Sequence, residues 1–384
     1  MHIFWTILLG AIAAVWLFEA IDIGFGVPSL IALADAKPLD DAHCPSVSIL
    51  FAARDEDEKL ASALGGFLAL DYPHYEVVAV DDRSEDATPQ ILADAAAKDS
   101  RLKPVRVDSL PAGWLGKPHG LEKAYECSTG EWLVFTDADV HFEPDLLRRA
   151  VALAERERLD HLTLLGRAEM FTVGEKIAMT FFGLAFLMAT RPWQVSKATS
   201  RYYVGVGSFQ MVRRNAYVAM GTHKKLAMEV VDDIKLGKVV KDAGFRSGVA
   251  KGGNAVSVHW HSGVANIVRG TTKNFYAATG FRLWVAFAQM FSLVALCVLP
   301  WVALPFVHGW ARAFAAFSVL IPIIAQGGAA LEFGVSPLYA LTHPIGALIM
   351  AWMLANSTIV TLRQGGIVWR GTFYPIEELK KGVV

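Results

Sequence analysis

The sequence predicts an α/β fold, a sheet with helices on its faces, joined to membrane-spanning helices at both ends of the chain. Three observations carry this. A strand, an acidic loop and a helix follow one another twice in succession, and a third strand comes next. Hydrophobic residues make up 54% of the 384 positions and charged ones only 19%. The apolar excess is concentrated at residues 3–34 and 283–362, whereas 35–275 has the composition of an ordinary soluble domain.

Residues 1–34 open with an apolar stretch long enough to begin a membrane span, although Glu19 and Asp22 interrupt it. The start Met1-His2 lacks the basic character of a cleaved signal peptide, so an uncleaved anchor is expected. The first strand is Val47-Ser48-Ile49-Leu50-Phe51-Ala52-Ala53, followed by Arg54-Asp55-Glu56-Asp57-Glu58. Asp55 can cap the next helix, with Glu58 closing a capping box; alternatively this acidic cluster faces a ligand. The second strand, Glu76 to Val80, runs into Asp81-Asp82-Arg83-Ser84-Glu85-Asp86, and a helix is expected at 87–98. A third strand spans 102–107.

A loop rich in Pro and Gly follows, Leu110-Pro111-Ala112-Gly113-Trp114-Leu115-Gly116-Lys117-Pro118, ahead of a helix expected at 120–127. A lysine just before a helix N-terminus can meet a phosphate together with free backbone N–H groups, or simply be solvated. No Walker sequence is present. The fourth strand, 131–136, ends in Asp137-Ala138-Asp139. Two carboxylates at alternate positions on a strand's carboxyl end can hold Mg²⁺ or Mn²⁺ against phosphate oxygens. They can equally cap the helix expected at 144–155.

The segment 177–190 is short for a span and too apolar for a surface helix, so either a core helix or one lying in the membrane interface (177–197) is expected. The glycines of Tyr203-Val204-Gly205-Val206-Gly207-Ser208-Phe209 allow close backbone approach to a substrate, or mark a bulge. Met228-Glu229-Val230-Val231-Asp232-Asp233 opens a helix that ends at Gly244, and acidic residues there suit the helix dipole. His259 and His261 read as loop residues or as metal contacts.

The series Ala52-Ala53-Arg54-Asp55-Glu56, Val80-Asp81-Asp82-Arg83-Ser84-Glu85-Asp86, Trp114-Leu115-Gly116-Lys117 and Thr136-Asp137-Ala138-Asp139 resembles family 2 glycosyltransferases of the GT-A fold. Residues 110–117 in particular resemble the membrane-bound hopene-associated glycosyltransferases, with ceramide glucosyltransferases as more distant relatives. The resemblance implies a Rossmann-like mixed sheet and an inverting transfer of sugar from a nucleotide-diphosphate donor, a UDP-sugar being favoured, to a membrane lipid hydroxyl. It implies a donor site of Ala53, Arg54, Asp55, Glu56, Asp81, Asp82, Lys117, Asp137 and Gly207. It further implies a divalent metal, Mg²⁺ or Mn²⁺, on Asp139 and Asp137, and Asp233 with its neighbour Asp232 as the catalytic carboxylates. The chain departs from the family pattern at Ala52, and Arg282-Leu283-Trp284 does not reproduce the Arg-Trp motif of many relatives.

The expected organisation is therefore an anchor at 1–34, the transferase domain at 35–275, transmembrane helices at 276–362 and a tail at 363–384. Spans are expected at 283–307, 313–331 and 338–362. Arg269, Lys273 and Arg282 before the first span put the main domain on the cytoplasmic side, and a cell inner membrane is the expected location. Three full crossings would then leave Arg363, Arg370, Lys380 and Lys381 outside, unless Pro322 and Pro344 mark a re-entrant segment; three crossings is the expectation. The net charge of −1 argues against nucleic-acid binding, and Cys44, Cys127 and Cys297 have no metal or disulfide spacing. Two other readings share these features: a metal-dependent nucleotidyltransferase, and a non-catalytic membrane scaffold with a decayed site.

Overall fold

The computed structural model describes residues 2–384. The chain opens with α1 (His2–Ser29) and proceeds through β1 (Val47–Ala53), α2 (Asp57–Leu68), β2 (Tyr75–Asp82), α3 (Thr88–Ala96), β3 (Leu102–Val107) and α4 (Gly116–Glu126). Next come β4 (Trp132–Phe135), β5 (His141–Phe142), α5 (Leu146–Arg156), β6 (His161–Ala168), α6 (Val173–Thr190), β7 (Gln210–Arg213), α7 (Arg214–Ala219), α8 (Asp232–Asp242) and β8 (Ser247–Val258). The remainder is α9 (Val264–Gly270), α10 (Asn274–Ala278), α11 (Leu283–Cys297), α12 (Leu299–Ala303), α13 (Gly309–Glu332), α14 (His343–Gln364), β9 (Gly366–Trp369), β10 (Thr372–Pro375) and α15 (Ile376–Lys381).

These elements form two compact units, each assembled from separate stretches of chain. One contains residues 30–167, 192–259 and 377–384; the other contains 1–29, 168–191 and 260–376. The sequence boundaries at 34/35 and 275/276 run differently: 168–191 and 260–275 group with the apolar helices, and the last eight residues group with the sheet.

The sheet unit has eight strands in the order β3-β2-β1-β4-β7-β6-β8-β5. The first four are parallel, as strand–helix alternation requires, and β7 pairs antiparallel with both β4 and β6. Alternation along β1 sorts its side chains to two faces. Ile49 and Phe51 pack with Leu60, Leu64 and Phe67 of α2 and with Leu146 of α5, while Leu50 joins Leu121 of α4 and Leu236 of α8. Burying each such Leu or Phe stabilises the fold by roughly 1.5–3 kcal/mol. The result is a mixed sheet covered on both faces, with the carboxyl ends of β1, β2 and β4 at one edge.

The capping box proposed for α2 does not form. That helix begins at Asp57 after Glu56, with no side-chain cap. Asp55 takes a left-handed φ of 54°, and its Oδ1 accepts from the Glu85 N–H at 2.9 Å. A true capping box appears instead at α6, between Thr172 and Glu175.

In the other unit, among the described residues, five helices are long and apolar enough to cross a membrane, including the stretch containing α6. Large apolar side chains such as Phe25, Phe291 and Phe306 stand exposed, as lipid contact allows. The acidic residues of α1 do not break it, because Arg191 pairs with Glu19 at 2.7 Å and also with Asp22. Pairing of this kind is what makes ionisable groups tolerable in an apolar setting.

The last turns of α14 are tied to the segment before α11. Ser357 Oγ donates to the Thr272 carbonyl at 2.6 Å and accepts from Tyr276 N–H at 2.9 Å; Asn356 Nδ2 donates to Thr272 Oγ1 at 3.0 Å. These bonds hold the last turns of α14 beside the segment that leads into α11.

Candidate active site

Four loops converge at the carboxyl edge of the sheet. The β1 loop is stitched to the β2 loop, since Asp55 N–H donates to Ser84 Oγ at 3.1 Å and Glu56 N–H to Thr88 Oγ1 at 2.9 Å. Ala53 lies opposite Asp81 in the parallel ladder. Arg54 Nε is buried without a hydrogen-bond partner and lies 3.8 Å from Asp55 Oδ2. Asp81 accepts from Ser84 N–H and pairs with Arg106, and Asp82 is held by the Arg83 guanidinium at 2.8 and 3.0 Å.

Lys117 lies inside the first turn of α4, which starts at Gly116, four residues earlier than its sequence suggests. Gly116 packs closely at this start: a Cβ there would sit 2.4 Å from Asp82 Oδ2. Lys117 Nζ donates to Asp137 Oδ1 at 2.6 Å. Burial opposes its charge, but Asp137, Asp232 and Asp233 outweigh that and hold its pKa above the ordinary lysine value.

Asp137 and Asp139 serve different partners. Asp139 Oδ2 accepts from Lys59 Nζ at 2.9 Å, and the same ammonium donates to the His259 carbonyl at 3.3 Å. That carbonyl contact is the part His259 plays beside the acidic loop. Among the described residues no three or more His, Cys, Asp or Glu side chains gather as a ready metal cage. Two carboxylates are nevertheless a donor set that Mg²⁺ or Mn²⁺ accepts when substrate phosphates complete the coordination. The residues thus fit a metal shared with a ligand.

Gly207 belongs to this cluster for a steric reason. A Cβ there would meet Asp137 Oδ2 at 2.3 Å, and its N–H donates to Asp233 Oδ2 at 3.1 Å. Asp233 Oδ1 accepts from Ile234 N–H at 2.8 Å, so two N–H groups orient this carboxylate. Asp232 is buried at 4% exposure, whereas Asp233 is partly open. Lys117, Gly207, Asp232 and Asp233 line a void of about 10 Å³, the floor of the site. That volume holds about one water.

The same void is lined by His223, a residue the sequence reading passed over. It lies in a turn after α7 and is 1% exposed. Tyr217 Oη accepts from His223 N–H at 3.0 Å and lies 2.6 Å from its Nδ1. Burial keeps the phenol protonated; when it donates to Nδ1 rather than to Glu122 Oε2, 3.5 Å away, the imidazole proton sits on Nε2. Burial, then the Lys117 charge, push the His223 pKa down to about 3. A histidine between Thr222 and two lysines gives no sequence signal of this; its partner Tyr217 comes from the preceding helix.

The stretch entering α8 is also held from the chain's far end. Glu229 Oε2 accepts from Val384 N–H at 3.2 Å, Lys235 Nζ donates to the Val384 carbonyl, and Gly382 lies against Met228, where a Cβ would come within 2.3 Å.

Residues 48–217 match the family model described as "Glycosyl transferase family 2". A beta-monoglucosyldiacylglycerol synthase of Trichormus variabilis is 37% identical over 117 residues, 30% of this chain and 25% of that protein. The succinoglycan biosynthesis protein ExoO of Rhizobium meliloti is 31% identical over 139 residues, 34% of this chain and 38% of that protein. The chain thus matches about a quarter of the length of the first of these relatives. Among solved structures, the mannosyltransferase PcManGT of Pyrobaculum calidifontis, in complex with GDP-Man and Mn²⁺, has a TM-score of 0.54 at 20% identity. That likeness covers 93% of this chain and 98% of the other, and shows a shared GT-A-type fold. The chain carries a glycosyltransferase family 2 domain at residues 48–217.

Proposed function

We propose that the protein is an inverting glycosyltransferase that moves a sugar from a nucleotide-diphosphate donor to a hydroxyl of a membrane lipid. The observation that carries this is the convergence of Lys117, Asp137, Gly207 and Asp233 at the carboxyl edge of the sheet. An anionic donor is supported by the orphaned Arg54 Nε and by Lys117 at a helix start. A lipid acceptor is supported by the apolar unit and by the relatives that are glycolipid synthases. A UDP-sugar is the favoured donor, and the charge distribution favours a sheet unit facing the cytoplasm from the inner membrane.

In the mechanism, Asp233 is the general base. Its two backbone hydrogen bonds fix the carboxylate, and its partial exposure leaves it open to an acceptor hydroxyl. Asp232, buried beside it, adds negative charge that keeps Lys117 protonated. Lys117 neutralises charge developing on the departing diphosphate, and neutral His223 offers it an Nε2–H donor. Asp139 and Asp137 would hold Mg²⁺ or Mn²⁺, which when bound supplies Lewis-acid stabilisation of that diphosphate. A single displacement at the anomeric carbon inverts its configuration.

The test is product analysis with the full chain in lipid nanodiscs. Release of nucleoside diphosphate with a glycosylated lipid is expected; release of pyrophosphate would identify a nucleotidyltransferase, and no turnover with any donor or metal would identify a scaffold. Asp233→Asn should lower kcat by about 10²- to 10⁴-fold without loss of folding. Wild-type turnover in that variant would remove Asp233 from the mechanism.

A further inference from the structure

Residues 377–384 belong to the sheet unit, although the chain reaches them from the apolar unit. Their contacts fall on both flanks of Asp232 and Asp233. Glu229 Oε2 accepts from Val384 N–H at 3.2 Å, and Lys235 Nζ donates to the main-chain oxygen of the same residue. The Val384 side chain packs against the cluster containing Leu226, Leu236 and Val240. Gly382 meets Met228 so closely that a Cβ would lie 2.3 Å from Met228 Cβ and 3.0 Å from its main-chain carbon. Leu379 of α15, which is fully buried, anchors the segment ahead of these contacts.

Glu229 lies four residues before Asp233 and Lys235 two residues after it, so the main chain of Val384 ties together the two sides of the acidic pair. Glu229 is 2% exposed; burial raises its pKa, and the Lys235 charge opposes that rise. A carboxylate so enclosed is costly to desolvate unless donors meet it, and the Val384 N–H is one of them. Helix α8 starts at Asp232 with no side-chain cap from Val231, so its entry takes its position from neighbours of this kind. We propose that residues 382–384 are a strap that positions the Asp233 carboxylate, with Glu229 and Lys235 as the positioning residues that hold the strap down. This rests on the reading of Asp233 as the general base. The donor contacts of Lys117 and Asp137 lie outside the strapped segment, so the strap governs the rate of transfer and leaves donor affinity alone.

Gly382→Ala tests this without altering any residue of the site. Restoring ordinary contact with Met228 takes about 1 Å, shared between the strap and the turn it holds. If half of that reaches Asp233, kcat falls about 10-fold, since a displacement of about 1 Å costs about 10²-fold. In full-chain nanodiscs, nucleoside diphosphate release should show that loss in kcat with the donor KM unchanged. Amide exchange across 228–235, read by mass spectrometry, should quicken about 10-fold at an unaltered melting temperature. Lys235→Met, which leaves the Gly382 contact intact, should reproduce both effects, and Lys235→Arg, which keeps a donor, should restore most of the rate. Lys380→Gln, in the same segment but paired with Glu377, should change neither. Exchange at the parent level in Gly382→Ala and Lys235→Met would overturn the strap; faster exchange with parental kcat would overturn its hold on Asp233. A parent chain that turns over no donor would sink the transferase reading and the catalytic role of the strap with it, while the exchange measurement still decides whether the strap holds the turn.

Discussion

Gly207→Ala separates chemistry from folding at this site. The new Cβ would lie 2.3 Å from Asp137 Oδ2 and 3.1 Å from its Cγ, so the carboxylate must retreat by about 1 Å to restore ordinary contact. The obstacle is a side chain that can rotate, and Gly207 does not have a left-handed φ, so the stability cost stays near the low end of overpacking, about 1 kcal/mol. Moving Asp137 disturbs its 2.6 Å pair with Lys117 and its place beside Asp139. A displacement of about 1 Å in a positioned group costs about 10²-fold in rate. The assay is nucleoside diphosphate release at saturating lipid in nanodiscs, with melting temperature measured on the same preparation. We expect kcat to fall about 100-fold while melting moves by a few degrees. Gly205→Ala is the contrast: its Cβ would lie 1.9 Å from the Asp233 main-chain oxygen, which cannot rotate away, so that variant should lose its fold. Full turnover in Gly207→Ala with an unchanged metal requirement would refute the assignment of Asp137 to the site.

Other substitutions follow the same logic. His223→Ala should raise KM for the donor and lower kcat by about 10-fold as one hydrogen bond to a charged group is lost, and Tyr217→Phe should give part of that effect by freeing the tautomer; unchanged donor kinetics in both would remove His223 from the site. Lys59→Met removes the cation paired with Asp139 and should tighten Mn²⁺ binding by up to about fivefold, the modest value expected for a half-exposed pair, as read by titration calorimetry with the nucleoside diphosphate present. His161 is fully buried among Gln210, Ser247 and Thr163, and burial lowers its pKa to about 4. Below its unfolded value near 6.5 the unfolded chain takes up a proton that the native chain refuses, so stability is full at pH 7 and falls between about pH 6.5 and 4, by ~3 kcal/mol. A His161→Gln variant should reduce that slope in denaturant titrations, leaving the part that buried His223 contributes; an equally steep slope would remove His161 from the acid sensitivity.

The candidate site was legible because its chemistry lies at ends of strands. Apolar runs of the right length reveal β1, β2 and β4, and the acidic residues after each are visible without knowing what they touch. Lys117 was visible as a cation near a helix start, but the close packing of its neighbour Gly116 on Asp82, a contact across 34 positions, was not. The Asp55 cap failed for a similar reason: local spacing permits a capping box, while the neighbouring β2 loop supplies a competing N–H from Glu85. His223 was hidden because a lone histidine in a turn carries no periodicity.

By itself, then, the amino-acid order determined the elements of periodic hydrophobicity, the acidic edge of the sheet, the glycines near it and the apolar helices, since each depends on residues only a few positions apart. Only the tertiary structure decided the partners. It paired Asp137 with Lys117 and Asp139 with Lys59, neutralised Glu19 and Asp22 with Arg191, brought Val384 to Glu229, and returned the end of α14 to the segment before α11. The physical reason is that a charge or hydrogen-bonding group takes whichever partner packing brings within about 3 Å, and packing is a property of the whole chain.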